Sequence, residues 1–112
     1  MSPEPRERRY VASMGWFAVR QVIKNADAYE ERITIWQADS AEEAIGRAEA
    51  EATEYAWDGT EPLALYQSFE LADAPGDGVE VFSLIRRSEL PPDEYLDSFF
   101  ATGSEEEKQL DE

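Results

Sequence analysis

Apolar residues along the chain first alternate, then recur at helical spacing, then alternate again. The stretch WFAVRQVIK (16–24) is dense in aromatic and β-branched residues, which favour a strand. Phe17, Val19 and Ile23 fall on one face, and Trp16, Ala18, Arg20 and Val22 on the other. Apolar groups on both faces predict a central position in a sheet. The polar NADA (25–28) suits a hairpin connection, without the strong Asn-Gly signal. Residues 29–39 predict a second strand, with Ile33 and Ile35 pointing one way and Arg32, Thr34 and Trp36 the other.

The period changes at Asp39–Ser40. Ser40-Ala41-Glu42-Glu43 reads as a capping box, in which the Ser40 hydroxyl accepts from the Glu43 amide and the Glu43 carboxylate reaches back to the Ser40 amide. The predicted helix runs to about Trp57 and stops at Asp58-Gly59. Ala44, Ile45, Ala48, Ala52, Tyr55 and Ala56 form its inward stripe, and such small residues imply a close approach to a sheet. Glu42, Glu43, Arg47, Glu49, Glu51 and Glu54 lie mainly outward, with Glu43 and Arg47 at ion-pair spacing.

Alternation returns in residues 61–71, with Leu63, Leu65, Phe69 and Leu71 opposite Ala64, Tyr66, Ser68 and Glu70. The loop ADAPGDG (72–78) leads to VEVFSLIRR (79–87), a predicted fourth strand that is apolar on both faces. Pro91 and Pro92 then open a short C-terminal helix on which Tyr95, Leu96, Phe99 and Phe100 recur at helical spacing.

The expected class is α+β: β-β-α-β-β-α, with a four-stranded antiparallel sheet in order 2-1-3-4. One helix packs on one face and a short C-terminal helix follows. The other sheet face would carry Trp16, Arg20, Val22, Trp36, Tyr66 and Phe82 or Leu84, too apolar to stand open. Either the 95–100 segment or a second copy of the chain is expected to cover it. Arg20, Arg32 and Arg86 alternate onto or near that face, where they could stack on aromatics and pair with Glu30 or Glu70. Aromatic and Arg enrichment is also the composition of an interface core. Trp16, Arg20, Arg32, Trp36, Tyr66, Arg86, Tyr95 and Phe99 are therefore the candidate interaction surface, set against the plainer reading of cross-strand pairing.

Composition narrows the functions. The 112 residues make one domain, 42% hydrophobic, with a core of its own. Its expected limits are 16–101, between a flexible N-terminal tail (1–15) and an acidic disordered tail (102–112). Met14 directly precedes the first apolar run and is a candidate start. No apolar run approaches the ~20 residues of a membrane span, and the N-terminus lacks a secretory h-region, so a cytoplasmic protein is expected.

The net charge is −16, and residues 16–101 hold 6 basic against 19 acidic side chains. An acidic body repels phosphate backbones, which argues against nucleic acid as a partner. The charge fits either solubility and salt adaptation or an acidic face for a basic partner.

With no His and no Cys, the chain lacks the usual general base, Ser-His-Asp and Cys-His arrangements, and imidazole or thiolate ligation. There is no Gly-rich phosphate loop. Asp73, Asp77 and Glu80 flank a Gly-Asp-Gly turn but lack calcium-loop spacing. Glu30/Glu31 and Glu42/Glu43 are the nominees for a carboxylate pair, and adjacent acids of this kind are usually solvated. No catalytic residue, metal or cofactor is expected.

Four segments carry a resemblance: WFAVRQVI (16–23), YEERITIWQADSAEEAIGRAEAEA (29–52), VFSLIRRSEL (81–90) and YLDSFFATG (95–103). In these the chain resembles a family of small, mostly actinobacterial proteins, the domain of unknown function 4288 family. The resemblance implies that 16–103 is the domain and carries no catalytic residue to transfer. The expectation is a non-enzymatic bacterial interaction domain that forms a homodimer or binds another protein. The alternatives are an acidic immunity- or antitoxin-like inhibitor of a basic protein, and a carboxylate-dependent enzyme.

Overall fold

The computed structural model describes residues 14–57 and 59–106. The expected N-terminal tail, and the acidic tail beyond residue 106, lie outside them apart from Met14 and Gly15. Strands β1 (Gly15–Asn25) and β2 (Ala28–Ala38) form a hairpin, followed by helix α1 (Ala41–Tyr55) and strand β3 (Thr60–Glu70). A single helical turn, α2 (Pro92–Tyr95), widens into a π-type turn over Leu96–Phe100. There the Ala101 amide reaches the Leu96 carbonyl five residues back, at 2.8 Å.

The sheet is antiparallel in order β2-β1-β3, so β1 is central, as its two apolar faces predict. The turn of the hairpin is two residues long, and Ala26 takes φ 57°, an uncommon conformation for a residue with a Cβ. Phe17 stands opposite Trp36, Val19 opposite Thr34 and Gln21 opposite Arg32. On the other side Gln21 stands opposite Tyr66, and a two-residue slip on β3 then places Ile23 opposite Pro62.

Ser40 caps α1 as expected, its hydroxyl accepting from the Glu43 amide at 3.1 Å. The Glu43 carboxylate reaches one residue further back than a capping box requires, to the Asp39 amide at 2.6 Å. Arg47 does not turn to Glu43. It donates to the Gln37 carbonyl at 2.7 Å and lies over the Trp36 ring. Ala44, Ala48 and Ala52 are fully buried, so α1 sits close on the sheet. The core joins Phe17, Val19, Ala38, Ala44 and Ala48, with Trp36, Ala41, Ile45 and Tyr66 packed against it.

The expected fourth strand is not seen. Residues 79–87 run without a partner strand, and among the described residues the amides from Glu80 to Glu89 have no hydrogen-bond acceptor. Leu84 and Ile85 are exposed, and Phe82 takes another solution. Phe82 packs on Phe69, ring centroids 6.1 Å apart, so the segment lies over the sheet's second face instead of extending its edge. The slip in β3 and the missing amide of Pro62 make that edge a poor template for a fourth strand.

Candidate interaction surface

Residues directly opposite in an antiparallel ladder share a face, so the register decides what lies under α1. Phe17, Val19, Gln21 and Ile23 face the helix, and their partners Trp36, Thr34, Arg32 and Glu30 join them from β2. Tyr66, Ser68 and Glu70 join them from β3. The opposite face carries Trp16, Ala18, Arg20 and Val22, with Glu31, Ile33 and Ile35 from β2 and Gln67 and Phe69 from β3.

The eight candidate residues therefore do not form one surface. Arg32, Trp36 and Tyr66 belong to the helix-covered face, which corrects their expected place beside Arg20 and Trp16. The Trp36 indole donates to the Thr34 hydroxyl at 2.7 Å. Burial, followed by the nearby Glu49 carboxylate, raises the Tyr66 phenol above its ordinary pKa. Arg32 donates to both Glu51 oxygens at 3.1 and 3.0 Å and stacks on Tyr55. The Tyr55 hydroxyl in turn donates to Glu30, at 2.8 Å to one oxygen and 3.0 Å to the other. Glu30 is thus the partner of a tyrosine on α1 and not of a strand arginine.

On the second face Arg20 bridges three segments. It donates to Glu31 at 2.8 Å and to Gln67 at 3.3 Å, and lies 5.8 Å from the Phe82 ring centroid. A shallow cleft beside it is lined by Val22, Leu65, Gln67, Leu84 and Arg86. Ala18 is fully buried between its ladder partners Ile35 and Phe69. On this half Phe82 packs on Phe69, while Leu65 and Leu84 stay exposed at the cleft.

Arg86, Tyr95 and Phe99 form a third group. Arg86 donates to the Tyr95 hydroxyl at 3.0 Å and stacks 4.5 Å from the Phe99 centroid, and the two rings lie 5.1 Å apart. This knob is built on its own segment, and Leu96 and Phe100 remain exposed. Just beyond it the Glu105 carboxylate accepts from the Thr102 amide and hydroxyl, which pulls its pKa down.

What the candidate list lacks is the β2 half of the second face. Ile33 is 45% exposed and Ile35 is 37% exposed, side by side on an edge strand. Their alternation opposite Trp36 is in the sequence, but it sends them away from the helix only because the register pairs Trp36 with Phe17.

A second missed residue is Gln21, whose amide oxygen and nitrogen are both buried without a hydrogen-bond partner. Among the described residues no group of three or more Asp or Glu is arranged to hold a metal ion, and no helix is long and apolar enough to cross a membrane. No family model, curated protein or solved structure matches the chain.

Proposed function

We propose that this chain is a non-enzymatic protein-interaction domain that self-associates through the second face of its sheet, at the β2 side. The observation that carries the reading is a pair of exposed isoleucines on a regular edge strand. Phe82 packs on Phe69 of β3, while Ile33 and Ile35 are left to solvent side by side on β2. Two adjacent exposed isoleucines beside an Arg20–Glu31 ion pair give an apolar centre with a polar rim. The same reading places the chain with the small bacterial family that residues 16–103 resemble, and in the cytoplasm.

A second reading, an inhibitor that holds a basic protein, has its own support. Glu42, Glu49 and Glu54 stand exposed along α1. Salt separates the two readings. Two copies of an acidic chain repel each other, so raising NaCl from about 50 to about 500 mM screens the repulsion and strengthens self-association. Capture of a basic partner by α1 weakens over the same range. Sedimentation across that salt series tests the proposal: an apparent dissociation constant that falls with salt supports it, and a chain that stays monomeric throughout refutes it.

A further inference from the structure

We infer that β2 pairs edge to edge with β2 of a second copy, antiparallel about a two-fold axis at Thr34, so that two three-stranded sheets become one of six strands. The inference rests on the self-association reading and gives it a register.

The first argument concerns which edge is open. In the order β2-β1-β3 the two outer edges belong to β2 and β3. The β3 edge is broken by Pro62 and by its two-residue slip. The β2 ladder is regular over all eleven residues, with no proline and no bulge. A long regular edge with apolar side chains is a template for another strand.

The second argument concerns which backbone groups face outward. The Trp16 carbonyl accepts from the Leu71 amide on the β3 side, so Trp16 turns its backbone groups away from β2. Its ladder partner Gln37 must then turn its own groups to the outside, where Arg47 reaches the Gln37 carbonyl. By alternation Glu31, Ile33 and Ile35 also present an amide and a carbonyl outward. Arg47 takes the Gln37 carbonyl, so both groups are open at Glu31, Ile33 and Ile35, and at Gln37 the amide alone is open.

The third argument is self-complementarity. A two-fold perpendicular to the sheet keeps the helix-covered faces on the same side and pairs residues of equal parity. With the axis at Thr34, Ile33 stands opposite the partner's Ile35 and Ile35 opposite the partner's Ile33. Arg32 stands opposite the partner's Trp36, and Glu31 opposite the partner's Gln37. No like charges meet. Moving the axis to Arg32 sets that cation against its own copy. Moving it to Ile33 sets Glu31 against the partner's Ile35, and moving it to Ile35 sets Glu31 against the partner's Asp39. Of these four registers, only the first matches apolar with apolar and separates the charges.

The test uses the full chain and opposite charges placed across the two-fold. Ile33→Lys and Ile35→Glu, each at an exposed position, are expected to weaken the dimer roughly a hundredfold, since each change acts twice across the axis. Combining the two substitutions sets the introduced ammonium of one copy against the introduced carboxylate of the other at both sites. The double variant is therefore expected to regain the dimer. Light scattering reads the mass, and far-UV circular dichroism confirms that each variant is folded.

Folded single variants that remain dimeric would overturn the β2 side as the contact, both as face and as edge, while leaving self-association itself in place. Monomeric singles without rescue in the double variant would overturn the register at Thr34. A parent chain that is monomeric overturns both readings.

Discussion

The Arg32 guanidinium lies 3.6 Å from the centroid of the Tyr55 ring, joining the middle of β2 to the last turn of α1. It also grips both oxygens of Glu51, one turn earlier on the same helix. The Arg32 side chain is only 16% exposed, so its charge-assisted bonds are partly shielded from water. Arg32→Ala is expected to lower the unfolding free energy by about 2 kcal/mol. Arg32→Lys should recover less than half of that, because an ammonium neither forks to a carboxylate nor stacks as a plane. Urea unfolding of the three proteins reads the difference, and equal stability of the Lys variant and the parent would contradict the assigned geometry.

Gln21 is 1% exposed and is the only polar residue among the fully buried side chains of the described residues. Neither end of its amide has a partner, so folding strips its hydration without replacing it. Gln21→Met keeps the length of the side chain and removes both polar atoms. It is expected to raise stability by about 1 kcal/mol. A higher urea midpoint at unchanged slope is the expected result; a lower midpoint would mean that the amide is satisfied in solution.

Tyr66 gives an alkaline limit. Its phenol is held neutral by burial and then by the Glu49 carboxylate, so the folded pKa lies above the ordinary value of 10.0. The folded state therefore holds this proton more tightly than the unfolded chain does. That contribution is fully present below the unfolded pKa and is lost as pH rises through the folded one. Thermal midpoints should fall from about pH 10 upward, and Tyr66→Phe should flatten the fall. An identical alkaline slope in the Phe variant would remove Tyr66 from the account.

Periodicity alone disclosed β1, β2, α1 and β3, because each is an unbroken run of one repeat with a recognisable end. The Ser40 cap and the Ala44–Ala48–Ala52 stripe were legible for the same reason. Which faces meet was not legible. The pairing of Phe17 with Trp36 is a property of two strands together, and neither strand's pattern contains it. That one relation moves Arg32, Trp36 and Tyr66 beneath the helix and turns Ile33 and Ile35 outward.

Residues 79–87 failed for a different reason. A segment apolar on both sides reads the same whether it joins a ladder or lies across a face. Here the contact of Phe82 with Phe69 decides. Gln21 left a trace in the sequence, as the polar gap in the row Phe17, Val19 and Ile23, but the gap does not say whether a partner waits for it.

The most direct measurement is the mass of the full chain in solution at moderate salt. Light scattering across a dilution series should give twice the 12.7 kDa chain mass at high concentration, falling toward 12.7 kDa as the sample is diluted. A constant 12.7 kDa over the whole series would contradict self-association through the β2 side of the sheet.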